Sequence, residues 1–299
     1  MKLTSITFTG IDERTDLEHV EENSQCYPYV EWGVLLSYHH KENGNRYPDP
    51  HILDHLDTLN HVRLAAHICG GMAKDVVAAE TKRMHEHLGY NFDMFKRCQI
   101  NLNVSARYAE MRSMRPFDRC LDEVIMQMTN KEALRSWLRY TEKPLPHVSY
   151  LLDASGGRGI NTPIDIFDDD PNIRVGYAGG MNPDNVGDKL RQLLDHRSYA
   201  EFWIDMESGV RDADDWLDLD KVEQVLKVCD PIIKEYKGKM LRQLPAGQPS
   251  ANSPRRRMSA RYAHIFMSPS LFTCRLLQHT AYRQAIRSTS DVVADISLP

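Results

Sequence analysis

The feature that most constrains this chain is a repeated order: a short apolar run, then a segment of helical periodicity, recurring from residue 5 to residue 236. The apolar runs are SITFTGI (5–11), VEWGVLLS (30–37), RLAAHICGG (63–71), RCQINLNV (97–104), EVIMQM (123–128), HVSYLLD (147–153), IRVGYAGG (173–180) and EFWIDMES (201–208). Several are nearly continuous in apolar character, as strands covered on both faces are, which points to a parallel sheet. Helical spacing is clearest in NPDNVGDKLRQLLDH (182–196), where Val186, Leu190, Leu193 and Leu194 share a face. In WLDLDKVEQVLKVCDPIIKEY (216–236) the apolar side is Leu219, Val222, Val225, Leu226 and Val228, and Pro231 is expected to kink or restart the helix. Strand then helix, eight times, predicts an α/β fold of the (β/α)8 type, a TIM barrel, with a doubly wound open sheet as the alternative. The fifth unit is the least defined, because residues 105–122 mix patterns and EVIMQM reads as strand or helix.

Composition narrows the class. None of the apolar runs approaches the roughly 18 to 20 residues of a membrane-spanning helix, and the first residues lack the sections of a signal peptide, so a soluble cytoplasmic protein without a membrane partner is expected. The six cysteines form no C-x-x-C pair, which argues for reduced thiols rather than a zinc site or disulfide framework. The net charge of −5 is an average. Residues 241–299 hold eight arginines, no lysine and two acids, or +6, and open on the Pro- and Ser-rich LRQLPAGQPSANSPRRR; residues 1–240 carry −11. The expected organisation is a barrel over 1–240 and a basic, disordered extension over 241–299. Arg255, Arg256 and Arg257 make a basic patch, but so short a run is more simply a solvated appendage, and the acidic body argues against nucleic acid as a partner.

In such a barrel the chemistry sits where strands end. Three ends are glycine-rich: LLDASGGRG (151–159), YAGGMNPDNV (177–186) and DMESGV (205–210). Glycine lets the backbone come close and turn successive N–H groups toward an anion, and the Asn-Pro after Gly179 and Gly180 is expected to start a helix whose N-terminus adds to that field. The implied partner is a small phosphorylated molecule. Asp153 and Asp205 each end an apolar strand, the first suited to giving or taking a proton and the second to holding hydroxyls. Arg46, in the polar loop YHHKENGNRYPDP (38–50), can pair bidentately with a carboxylate.

At these residues the sequence resembles phosphoribosylanthranilate isomerase, a barrel of the tryptophan pathway that carries out an Amadori rearrangement. LLDASGGRG is similar to the family's Leu-Leu-Asp followed by Gly-Gly-Thr-Gly, YAGGMNPDNV to its Ala-Gly-Gly-Leu-x-Pro-Glu-Asn-Val, and DMESGVRD to its Asp-x-x-Ser-Gly-Val-Glu. The resemblance is clear over 147–212, weaker over 5–71 and absent from the tail. It implies a general acid at Asp153, substrate binding by Asp205, a phosphate among Gly179, Gly180, Ser208 and Gly209, and a ligand carboxylate at Arg46. The family's base, a cysteine of the first strand, is here Thr9, whose hydroxyl is no base near pH 7. The family's Lys-Thr-Phe-Asp-Trp gives way to INTPIDIF (160–167), and its His-Gly to Cys69-Gly70.

Other bases come into view at Cys69 and at His67, two residues before it on the same strand face, although packing of a small thiol against the barrel mouth is the simpler reading of Cys69. His39 and His40 are further acid-base candidates. No ligand pair has diagnostic metal spacing, and no G-x-G-x-x-G or P-loop is present, so no metal and no cofactor is expected. The function implied is acid-base isomerisation of a phosphorylated sugar derivative, by an isomerase of the intramolecular oxidoreductase type. The alternatives are a barrel that binds without catalysis, and another phosphosugar isomerase, epimerase or lyase on the same scaffold.

Overall fold

All eight apolar runs become strands. The computed structural model describes residues 1–39, 45–78, 80, 82–101, 122–141, 147–155, 158–196 and 200–243. The strands are β1 (Lys2–Thr9), β2 (Val30–Leu36), β3 (Leu64–Cys69), β4 (Arg97–Asn101), β5 (Glu123–Met128), β6 (Val148–Asp153), β7 (Val175–Ala178) and β8 (Glu201–Met206). They pair in sequence order, all parallel, and β8 closes on β1, so the sheet is a barrel rather than an open doubly wound one. EVIMQM is β5 and not a helix. His40, the Gly156-Gly157 pair, residues 105–121 and the basic run at Arg255, Arg256 and Arg257 lie outside the described residues.

The helices are α1 (Leu17–Cys26), α2 (Pro50–Leu56), α3 (Gly70–Val77), α4 (Lys82–Leu88), α5 (Lys131–Thr141), α6 (Val186–Asp195) and α7 (Leu219–Gln243). Several expectations need correction. The sixth unit has no helix between Arg158 and Arg174 among the described residues; Pro163, Pro171 and the run Asp168–Asp170 do not favour one, and a buried Phe167 pins the segment. The helix does not restart at Pro231, which lies inside a continuous α7, where Val225, Leu226, Cys229, Ile232 and Ile233 are buried on both sides of it. Packing along that whole face outweighs the one backbone hydrogen bond a proline removes. Val228 remains exposed and Cys229 takes the buried position instead. The helix runs to Gln243, three residues past the boundary expected at 240.

Two cores follow from the alternation of strand side chains. Outward-facing Ile6, Phe8, Trp32, Val34, Ile68 and Val124 pack under the helices. Inward-facing positions are far more polar than the runs suggest, with a small apolar plug of Ile125, Leu151 and Trp203, against which Ala178 packs. Below it, at the N-terminal strand ends, Arg97 donates to Glu31 at 2.6 Å and to Glu123, its guanidinium lies 4.5 Å over the Trp203 ring, and Arg174 donates to Glu123 at 2.9 Å. Charge and plug together close that end, leaving the C-terminal mouth as the open one.

Candidate active site

A cavity of about 780 Å³ opens at the mouth, lined by the ends of strands and the loops that follow them. Asp153, Cys69, Arg46, Asp205, Gly179, Gly180, Ser208 and Gly209 all line it. Thr9 stands just beneath, buried, its Oγ1 donating to Asp205 Oδ1 at 2.9 Å. His39 is not among the lining residues, and His67 is buried below them.

The loops after β6, β7 and β8 interlock through close backbone approach. Gly180 has φ +61, and a Cβ there would sit 2.3 Å from the Asn161 nitrogen; at Gly209 it would sit 1.8 Å from the Met181 carbonyl oxygen. The Gly179 carbonyl accepts from Lys189 Nζ at 2.9 Å and the Gly180 carbonyl from Asn185 Nδ2 at 2.9 Å, both on the α6 side. In a trans peptide the next N–H points the other way, so the N–H groups of Gly180 and Met181 face away from α6. Neither has a hydrogen-bond partner among the described residues. Ser208 and Gly209 begin a short 3₁₀ turn (Ser208–Val210), whose first N–H groups have no partner within it.

The helix expected at Asn182-Pro183 begins instead at Val186. Asn182 Oδ1 accepts from the N–H groups of Asp184 and Asn185 at 3.0 and 3.2 Å, so the turn ahead of the helix uses its own donors.

The two strand-end aspartates are gripped differently. Asp153 accepts from Gln127 Nε2 at 2.9 Å, from the Ser155 N–H at 3.0 Å and from Ser155 Oγ at 2.7 Å. Asp205 is buried among negative neighbours. Burial above all raises its carboxyl to about 7; the Thr9 hydrogen bond opposes this, and Glu207, Glu31 and Asp153 add smaller upward effects.

Cys69 is no thiolate at neutral pH, since burial pushes its thiol up to about 11. It accepts from Asn101 Nδ2 at 3.4 Å and also hydrogen-bonds Tyr47, which reaches over from the β2 loop. Burial and the Arg97 charge hold His67 down at about 3, so it is a neutral imidazole, 3.2 Å from Gln99 Nε2. Cys69 lines the cavity as a neutral thiol, and the His67 imidazole lies buried below it.

Arg46 does form a bidentate pair, but with a residue of the protein. Its Nε and Nη2 donate to Asp215 at 2.9 and 2.6 Å, and Nη1 donates to Glu207, leaving two of its five N–H groups for a ligand. With Asn45 Nδ2 donating to the Asp214 carbonyl at 2.9 Å, this ties the β2 loop to the β8 loop across one side of the mouth. Behind it, Arg211 is buried and donates to the Gly10 carbonyl at 2.8 Å and to Asp12 at 3.1 Å.

Sequence reasoning did not single out Ser155, Gln127, Glu207, Asp215 or Arg158. Arg158 also lines the cavity, its Nε on the Ser155 carbonyl at 2.8 Å, and adds a guanidinium where the resembled motif has threonine. The acid-rich run ESGVRDADD (207–215) was the one sequence signal for partners of Arg46.

Fold and mouth define a (β/α)8 barrel with a carboxylate-bearing cavity at the C-terminal ends of its strands. No protein-family profile and no curated protein matches the chain. Among solved structures it is similar to monomers generated from the dimeric phosphoribosylanthranilate isomerase of Thermotoga maritima, at 16% identity and TM-score 0.45, over 76% of this chain and 99% of that one. N-(5'-phosphoribosyl)anthranilate isomerase of Pyrococcus furiosus gives 16% identity and TM-score 0.47, over 76% and 99%. Phospho-2-dehydro-3-deoxyheptonate aldolase of Thermotoga maritima gives 10% and 0.43, over 78% and 69%. The closed strand order, not these likenesses, establishes the fold.

Proposed function

We propose that this barrel binds a small phosphorylated sugar derivative at its mouth and isomerises it by acid-base chemistry, with Asp153 as the acid. The observation that carries the reading is a juxtaposition within one cavity. The outward N–H groups of Gly180 and Met181, and the turn at Ser208 and Gly209, suit a phosphate, while Asp153 and Asp205 end the strands on either side of β7. Oriented N–H groups supply local positive potential where the overall charge of residues 1–240 is −11. Arg158 adds to it. An aldose derivative needs a proton delivered to its ring oxygen and another moved between adjacent carbons, which two carboxylic groups in one cavity can divide between them. The resemblance of 147–212 to phosphoribosylanthranilate isomerase supports a ribose phosphate as the ligand.

The direct test is a thermal shift of the purified chain with inorganic phosphate and ribose 5-phosphate, followed by turnover of N-(5'-phosphoribosyl)anthranilate. Saturation to 100 times Kd should add about 2.7 kcal/mol of stability. An unmoved Tm at millimolar ligand rejects the reading. A binding barrel without catalysis is the second reading, favoured by the combination of Thr9 with a Cys69 thiol raised to about 11; it predicts the shift without the turnover.

A further inference from the structure

The isomerase reading needs a base as well as an acid, and the mouth holds no thiolate and no protonatable imidazole among the lining residues described above. What it does hold is a second carboxylate in an unusual setting. Asp205 is 6% exposed, lines the cavity, and takes a single hydrogen bond, from Thr9 Oγ1 to Oδ1. Its Oδ2 has no partner among the described residues. The acidic groups around it are Glu207 at the end of its own strand, Glu31 from β2 and Asp153 from β6. The cations nearest those groups are already engaged, Arg46 with Glu207 and Asp215, and Arg97 with Glu31 and Glu123.

We infer that Asp205 is the general base of the reaction, shuttling a proton between neighbouring carbons of the ligand, and that Thr9 is a positioning residue that holds Oδ1 and leaves Oδ2 for the substrate. This rests on the isomerase reading above. Mostly buried, and with the Glu207 and Glu31 carboxylates nearby, the carboxylate is a stronger base than an exposed aspartate, and near pH 7 both its forms are populated. A group that must take a proton and return it needs that balance.

For a phosphorylated aldosylamine the protons balance without a co-reactant. Asp153, as the acid, gives a proton to the ring oxygen as the C1–O bond breaks and C1=N forms. Asp205 as carboxylate takes the proton from C2, and the C–H electron pair forms C1=C2 as the C=N pair returns to nitrogen. Asp205 then gives its proton to C1 while Asp153 takes one from the C2 hydroxyl, leaving a C2 ketone. Both carboxyl groups end as they began. The same exchange serves a phosphorylated aldose with oxygen in place of nitrogen.

The test uses the full chain with N-(5'-phosphoribosyl)anthranilate as substrate and inorganic phosphate as a separate binding probe. Asp205→Asn should lower kcat by about 100-fold or more, in the range general-base removal produces, while the phosphate-induced Tm shift persists. Thr9→Val removes the hydrogen bond that opposes the raised pKa, so the acid limb of its pH profile should move to higher pH, and Thr9→Ser should restore it. An Asp205→Asn enzyme within threefold of wild type, or identical profiles for the Val and Ser variants, overturns the inference while turnover by the wild type leaves the isomerase reading standing. A wild type that binds phosphate but does not turn over overturns both. If Asp205→Asn does not fold, the Thr9 pair decides.

Discussion

Replacing Asp205 with asparagine should stabilise the protein at pH 8 and leave it nearly unchanged at pH 4. The carboxyl is 6% exposed and its pKa is raised from 3.8 to about 7, by burial first and then by Glu207, Glu31 and Asp153. Between those two values the native protein holds a proton that the unfolded chain has released. Stability therefore falls as pH rises through that window and levels off above 7, where both states are ionised. About three units at about 1.4 kcal/mol each make the native carboxylate cost about 4 kcal/mol at pH 8. Asparagine keeps an acceptor for Thr9 and has no charge to bury. The neighbouring carboxylates are coupled to Asp205 and shift with it, so the difference in unfolding free energy between variant and wild type should grow by up to about 4 kcal/mol from pH 4 to pH 8. Urea unfolding of both proteins across that range measures it. A difference that does not change with pH would refute the reasoning, and with it the claim that Asp205 is poised near neutrality.

Gly180→Asp should abolish the phosphate-induced Tm shift, since its side chain would meet the Asn161 backbone and place a carboxylate at the anion's position; an undiminished shift counts against the glycine-loop cup. Arg211→Met strands the Asp12 carboxylate, whose side chain is 0% exposed, and should cost about 3–5 kcal/mol in denaturant unfolding. In alkylation followed by peptide mapping at pH 7.5, the exposed Cys26 should react well before Cys69, whose thiol is raised to about 11; equal rates would contradict that environment. A chain ending at Gln243, where the last described helix stops, should unfold cooperatively, and a broad transition would show that the extension belongs to the fold.

Much of the architecture was legible because parallel strands covered by helices must be apolar, so each run announced its strand. The same rule hid the interior. Glu31, Arg97 and Glu123 stand at or near the first positions of their strands, where they read as flanks rather than as a buried ion network. Pro163, Pro171 and three consecutive aspartates already argued against a sixth helix, but the expectation of an eightfold repeat overrode them. At the site, Asp153 and Asp205 were visible as polar ends of apolar runs. Their environments were not: Gln127 reaches Asp153 from the neighbouring strand and Thr9 reaches Asp205 from the far end of the chain. Cys69 and His67 have the chemistry of a base in sequence, and only burial shows both to be neutral at pH 7.

The most direct measurement is a crystal structure of the chain soaked with ribose 5-phosphate. The account predicts the phosphate within hydrogen-bond distance of the Gly180 and Met181 N–H groups and Ser208, with the sugar carbons between Asp153 and Asp205. Phosphate density elsewhere, or a sugar turned away from both carboxylates, would contradict it.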